Sequence, residues 1–190
     1  MQRSYNSLLE SKEITAIRTQ AIEQYTKFGC QLETKKRWAD AEKSFRYVLE
    51  VVSLRDGPGS FKSIPALEHL AMVSKAQNKL DQAVNFQKTL VLLTKAQHPM
   101  NKLAVLNAQL SLADLLLEKH DYSKAESVLS ESVAICKAQP TLSNQKRQVI
   151  YQRYSKILRQ LHKDPEADAI EAEADADNSK AAGEKLAEDR

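Results

Sequence analysis

The sequence predicts an all-α solenoid of four antiparallel helical hairpins, and three observations lead to this fold class. An alanine recurs every 42 residues near the start of an amphipathic run, at Ala41, Ala83, Ala125 and Ala167. A second small residue stands twelve positions before each alanine, at Gly29, Ala71, Ala113 and Ser155. Short polar stretches separate the two small positions, and the prolines avoid the interiors of the predicted helices, as backbone sterics require.

The composition favours a helical protein over a disordered or membrane-spanning one. Of 190 residues, 42% are hydrophobic and 28% charged, with four glycines and five prolines. No apolar run approaches the ~20 residues that a membrane-spanning helix needs. The first residues lack the basic start and apolar stretch of a signal peptide. We therefore expect a cytoplasmic protein.

The 42-residue period places two helices in each unit. The first helices carry the first small residue and are expected over Thr19–Thr34, Ser63–Gln77, Asn101–Lys119 and Ser143–Leu161. The second helices carry the alanine and are expected over Trp38–Leu54, Leu80–Ala96, Tyr122–Ala138 and Pro165–Ala176. Small residues on both helices allow their axes to approach closely. A glycine inside a helix costs about 1 kcal/mol relative to alanine, which close packing at Gly29 would offset.

These helices define four repeats, over about 19–60, 61–100, 101–142 and 143–176. Residues 1–18 are expected to form a leading helix, and residues 177–190 an acidic, disordered tail. Residues 163–190 carry ten acids against four bases, a net charge of −6, which leaves +9 for residues 1–162. The last unit is acidic outside its inward positions, as expected of a terminal repeat on which nothing stacks.

The recurring positions resemble those of the tetratricopeptide repeat family. The first unit matches best, with Tyr25, Phe28, Gly29 and Leu32 on its first helix and Trp38, Ala41, Phe45 and Val48 on its second. The 42-residue period is similar to the longer form found in kinesin light chains, since the common form repeats every ~34 residues. The resemblance covers about Thr19 to Ala176. It implies a right-handed superhelical solenoid, and a HEAT-type array with a period of ~40–47 residues is the alternative.

The resemblance further implies a scaffold that binds a peptide or helix of a partner protein in a concave groove. The groove residues lie on the first helices: Glu23, Thr26, Cys30, Glu33, Glu68, Met72, Lys75, Asn107, Leu110, Asp114, Leu117, Gln152, Lys156 and Arg159. This lining is acidic toward its N-terminal side and basic toward its C-terminal side. We therefore expect a partner segment of mixed charge with an apolar anchor near Met72 and Leu110.

Two specialised ligands of the family are not expected. The lysine and asparagine clamp of chaperone-tail binders is missing, because Thr26 and Cys30 occupy its places in the first repeat. The recurrent groove asparagine of kinesin light chains is replaced by Thr26, Glu68, Leu110 and Gln152.

The alternative function is the binding of nucleic acid or another polyanion by the basic fourth-repeat helix. The run Lys146–Lys163 combines basic residues with Tyr151 and Tyr154, a mixture that can contact phosphates and stack on bases. Both tyrosines also fit packing positions of the repeat, so protein binding remains the preferred interpretation. Two further hypotheses concern self-contact: the acidic tail competes for this basic helix, or the N-terminal repeat edge pairs with another copy.

The sequence carries no motif of catalysis or metal binding. It has no HExxH, CxxC or glycine-rich phosphate loop, and no serine or cysteine has an evident base. Cys30 and Cys136 lie two repeats apart, beyond the ~7 Å between α-carbons that a disulfide spans. His120 and His162 are 42 residues apart in hairpin turns and are expected to face solvent. We therefore predict a non-enzymatic protein without cofactor or metal.

Overall fold

The computed structural model describes the backbone of residues 2–97, 99–139 and 142–188, and the side chains of residues 11–97, 99–139 and 142–177. Within these ranges the chain is helical and contains no strand. The helices are α1 (Gln2–Thr34), α2 (Trp38–Asp56), α3 (Ile64–Ala76), α4 (Leu80–Ala96), α5 (Lys102–Glu118), α6 (Tyr122–Lys137), α7 (Asn144–Gln160) and α8 (Asp164–Glu188). A short 3-10 helix, Phe61–Ser63, precedes α3. The all-α prediction is confirmed.

Two helices are longer than expected. Helix α1 runs without interruption from Gln2, so the predicted leading helix and the first repeat helix form one element. Helix α8 continues past Ala176 to Glu188, because the run after Ala176 is rich in alanine, glutamate and lysine, which favour helix. The repeat boundaries and the behaviour of the tail in solution stay predictions. Pro140 lies outside the described residues.

The helices form two compact units, Met1–Asn101 and Lys102–Arg190. In the first unit α1 packs against α2, α2 against α3, and α3 against α4. In the second unit α5 packs against α6, α6 against α7, and α7 against α8. Each unit therefore consists of two helical hairpins that pack in succession, as the predicted repeat requires.

The small residues that predicted the fold are all buried. Gly29 is buried on α1, and the exposed fraction is 5% or less at Ala41, Ala71, Ala83, Ala113, Ala125, Ser155 and Ala167. The tightest approach is at Gly29, where a Cβ atom would lie 2.6 Å from Cζ of Phe45. The ring of Phe45 therefore fills the space that any side chain at position 29 would need.

One buried carboxylate joins the two hairpins of the first unit. Glu42 on α2 is 8% exposed and accepts hydrogen bonds from Arg46 at 2.7 Å, Gln77 at 2.8 Å and Lys79 at 2.8 Å. Gln77 and Lys79 belong to the turn between α3 and α4. Burial raises the pKa of Glu42, but the hydrogen bonds from Lys79, Gln77 and Arg46 outweigh burial and lower that pKa from 4.5 to about 2.

Each hairpin turns through one residue in the left-handed conformation, and these residues also recur every 42 positions. The φ angle is 56° to 59° at Lys36, Asn78, His120 and His162. In the first turn, the amide of Arg37 donates to the Leu32 carbonyl and the amide of Lys36 to the Glu33 carbonyl, both at 2.8 Å. This is a Schellman motif, and the same pair of bonds closes the other three turns.

Replacing Lys36 with glycine is expected to raise the free energy of unfolding by roughly 0.5 kcal/mol. The left-handed conformation costs a residue with a side chain about 1–2 kcal/mol, and the greater freedom of glycine in the unfolded chain cancels part of the gain. Asn78→Gly serves as the control and is expected to change stability less, because asparagine tolerates this conformation. Urea unfolding measures both variants, and a destabilised Lys36→Gly protein contradicts the prediction.

Candidate partner-binding face

The fourteen predicted groove residues lie on the first helices of the hairpins, and we call the surface that they form in each unit its first-helix face. Eight of them are exposed: Glu23, Glu68, Met72, Lys75, Asn107, Gln152, Lys156 and Arg159. The other six are half-buried: Thr26, Cys30, Glu33, Leu110, Asp114 and Leu117. All fourteen are therefore accessible in part. Their role in binding stays a prediction.

In the first unit the face brings together a thiol, a carboxylate and an imidazole. Nδ1 of His69, on α3, lies 3.1 Å from each of the two carboxylate oxygens of Glu33, on α1. On its other side, Nε2 of His69 lies 3.8 Å from Sγ of Cys30. Because a carboxylate accepts hydrogen bonds, Nδ1 of His69 donates to Glu33, and in the neutral tautomer with this hydrogen Nε2 is an acceptor that faces the Cys30 thiol.

The surroundings of the cluster hold the His69 ring in place and keep the Cys30 thiol protonated. The His69 ring stacks on Phe45 with centroids 4.4 Å apart and planes 3° apart, which restricts rotation of the imidazole. Burial and the neighbouring charge of Glu33 raise the pKa of the Cys30 thiol above its usual value. The resting form is therefore a neutral thiol beside a fixed imidazole, and the cluster lacks the lowered pKa of a reactive cysteine.

In the second unit the corresponding face carries two polar contacts between α5 and α7. Arg153 lies 3.2 Å from the Asp114 carboxylate, and the ammonium of Lys146 donates to the side-chain oxygen of Asn107 at 3.3 Å. In both pairs, and in the pair of Cys30 with His69, the partners are 39 residues apart. Within each unit, the first helices of neighbouring hairpins therefore meet with the same offset.

Three partners in these contacts, His69, Arg153 and Lys146, are not among the predicted groove residues. The resemblance indicates which positions line each first helix, but not how far one helix slides along the next. Each of the three lies 39 residues after its partner, three residues fewer than the 42-residue repeat. A search for polar pairs at this separation would have identified them. Nothing in the sequence pattern specifies this offset, because it follows from side-chain packing between the helices.

The basic helix α7 is less available than its composition predicts. Tyr151 is only 3% exposed, and Tyr154 is half-buried against the core of the second unit. Arg159 donates to Glu171 at 2.8 Å and to Asp168 at 2.9 Å. These contacts with acidic residues of α8 and the buried ring weaken the case for binding a polyanion by stacking and phosphate contacts.

The outer edge of the first hairpin exposes aromatic side chains. Tyr25, Phe28 and Tyr47 are 41%, 51% and 40% exposed. The rings of Tyr25 and Tyr47 have centroids 4.3 Å apart, and all three residues line a shallow open cleft with Arg37 and Lys43. This edge is the surface expected to pair with a second copy, and that pairing stays a prediction.

Two further features are the state of the cysteines and the apolar character of the helices. Cys30 and Cys136 are both free thiols, and burial raises the pKa of Cys136 to about 11. Among the described residues, no helix combines the length and the apolar character that crossing a membrane demands.

Comparison with known proteins places the chain in the class of helical-repeat proteins. No protein-family model matches the sequence, and no curated protein matches it. Solved structures do match. The chain is similar to BtubC (BKLC) from P. vanneervenii, with a TM-score of 0.71 at 14% identity over 85% of this chain. It spans 65% of that protein, slightly less than two thirds of its length.

The nearly identical TPR-like repeats of a putative kinesin light chain from Podosopora anserina are also similar. Two crystal structures of those repeats, one of them of a variant with a single substitution, match with TM-scores of 0.67 and 0.66. Both share 15% identity over 84% of this chain and 75% of theirs. The predicted likeness to tetratricopeptide repeats of the longer, kinesin light chain form is confirmed as a likeness of fold.

Proposed function

We propose that this chain is a protein-interaction scaffold that binds an extended peptide or a helix of a partner on its first-helix face. The observation that carries the proposal is the state of the fourteen predicted residues, none of which is buried in the core. They combine exposed charges with accessible apolar side chains, the mixture that protein interfaces use. The role involves no catalysis by the chain itself. The compartment that we propose is the cytoplasm, where thiols such as those of Cys30 and Cys136 stay reduced.

In the first unit the proposed anchor is Met72. Its side chain is 49% exposed and lies on α3 between the exposed Glu68 and Lys75, which share its side of the helix. A flexible thioether adapts to partner side chains of different shapes. Glu23 adds a further exposed carboxylate on α1. This part of the face therefore suits a partner segment of mixed charge, with an apolar side chain flanked by a basic side chain opposite Glu68 and an acidic one opposite Lys75.

Replacing Met72 and Lys75 with alanine together is expected to weaken partner binding about tenfold or more, because exposed anchors dominate interface energies. The probe is a set of peptides selected from a display library on the purified chain, with Kd measured by fluorescence anisotropy. The matched control is Leu92→Ala with Lys95→Ala on α4, which has the same spacing and an anchor that is 68% exposed. Equal affinities of both double variants, or an unchanged affinity after the Met72 and Lys75 change, contradict the proposal.

A further inference from the structure

The cluster of Cys30, Glu33 and His69 brings together three potential metal ligands, an arrangement that protein binding does not require. One potential ligand atom from each of the three residues lies within 4.8 Å of the other two. The three side chains are half-buried, so an ion can reach them while the surrounding helices restrict their movement. The Glu33 side chain is more enclosed than that of His69, with 11% of it exposed against 29%.

We propose that Cys30, Glu33 and His69 form a binding site for one zinc ion. A thiolate, an imidazole and a carboxylate together form a donor set that zinc accepts, whereas calcium and magnesium prefer oxygen ligands alone. Three protein ligands leave the fourth tetrahedral position to water. Two of the ligands are negative, the Glu33 carboxylate and the Cys30 thiolate. The thiolate arises because the thiol releases its proton to solvent as the bond between zinc and sulfur forms.

The distance between the sulfur and nitrogen ligands is near that of a zinc site. Zinc bonds of about 2.3 Å to sulfur and about 2.1 Å to nitrogen place the two ligand atoms about 3.6 Å apart in tetrahedral geometry. Sγ of Cys30 and Nε2 of His69 already lie 3.8 Å apart. Glu33, which now accepts from Nδ1 of His69, reaches the ion by rotation of its own side chain. Because Phe45 stacks on the imidazole, the ring is held in place for coordination.

The helices explain why these three residues meet. Cys30 and Glu33 are three residues apart on α1, so they share one side of that helix. His69 on α3 is 39 residues after Cys30 and 36 after Glu33, which places it opposite both. The ligands therefore come from neighbouring hairpins of one unit, and zinc binding joins α1 to α3. This departs from the expectation of no metal site, which rested on spacing along a single segment.

The test is a titration of the full, reduced, metal-free chain with Co²⁺, which replaces zinc and reports on its ligands by absorption. We expect one Co²⁺ per chain and a thiolate-to-cobalt charge-transfer band that excess Zn²⁺ removes. Cys30→Ser is expected to abolish the band, and His69→Gln and Glu33→Gln are expected to weaken Co²⁺ binding about tenfold or more. Zn²⁺ is also expected to raise the Tm of the unaltered protein and not that of Cys30→Ser.

Matched controls separate ligation from general damage. Glu50→Gln and His120→Gln change exposed residues of the same types outside the cluster and outside the first-helix face, and are expected to bind Co²⁺ like the unaltered chain. Far-ultraviolet circular dichroism without metal verifies that each variant folds. The absence of a charge-transfer band in the unaltered chain overturns the proposal. A band that survives Cys30→Ser, or an affinity unchanged in both His69→Gln and Glu33→Gln, overturns it as well.

Discussion

Replacing Glu42 with alanine is expected to lower the free energy of unfolding at neutral pH by about 2 kcal/mol. Glu42 is 8% exposed, and its carboxylate accepts from Arg46 on the same helix and from Gln77 and Lys79 of the next hairpin. The variant therefore loses hydrogen bonds to a charged group, two of which join the hairpins. Breaking a buried ion pair can cost about 3–5 kcal/mol. We expect a loss of only about 2 kcal/mol because the side chains of Arg46 and Lys79 are about half exposed, so water hydrates their charges once the carboxylate is gone. Urea unfolding at pH 7 measures the change.

The same carboxylate predicts a specific dependence on pH. Its pKa is lowered from 4.5 to about 2 in the folded chain, so folding favours the ionised form. The stabilisation is fully present above pH 4.5 and is lost as the pH falls toward 2. The Glu42→Ala protein is therefore expected to lose less stability between about pH 5 and pH 3 than the unaltered protein.

The control for Glu42 is its counterpart two repeats later. Glu126 accepts from Lys163 at 2.6 Å, and its side chain is 22% exposed, against 10% for that of Glu42. Glu126→Ala is therefore expected to cost less than Glu42→Ala, about 1 kcal/mol or below. Equal losses at the two positions, or the same pH profile with and without Glu42, would show that the buried network does not stabilise the first unit.

Replacing Gly29 with alanine is expected to destabilise the protein by about 1–2 kcal/mol, although alanine is the better helix former. The new Cβ would lie 2.6 Å from Cζ of Phe45, a ring with no exposed surface that also stacks on His69. The ring cannot move without disturbing its neighbours. Overpacking costs about 1–3 kcal/mol, and a buried ring that cannot shift belongs to the upper part of that range, about 2–3 kcal/mol. Subtracting the gain of about 1 kcal/mol in helix propensity leaves a net loss of about 1–2 kcal/mol.

A double-mutant cycle tests this cause. In a Phe45→Leu background the ring is gone, and Gly29→Ala is expected to be neutral or to stabilise the protein by up to about 1 kcal/mol. Thermal unfolding of the four proteins measures the coupling. If Gly29→Ala stabilises the protein with Phe45 present, close packing is not the reason for glycine at this position.

The sequence alone predicted the helices because amphipathic spacing, polar turns and prolines are local features of the chain. The bounds of α4, Leu80–Ala96, agree with the expected ones, since a polar turn precedes it and the proline region follows. The buried small residues were found by their interval of 42, because every repeat needs the same close contact. The 42-residue period also predicted that these residues are buried, because equivalent positions of successive hairpins lie on the same, inward-facing side of their helices.

The candidate site was only half predictable. Cys30 and Glu33 were assigned to the first-helix face by resemblance, whereas His69 was not, although its contacts with both residues make the cluster. Tyr151 was weighed as a stacking residue and as a core residue, and its burial at 3% exposure favours the core. In both cases the decisive quantity is the position of one helix against the next, which composition and spacing do not contain.

By itself, the sequence determined that this chain forms helical hairpins at a 42-residue interval, with small residues where the helices meet. The tertiary structure decided which polar side chains face each other across neighbouring hairpins, including Cys30 with His69 and Glu42 with Lys79. The physical reason is that periodicity specifies which side of each helix is buried. The offset between adjacent helices depends on how individual side chains interlock, and that is settled only when the chain folds.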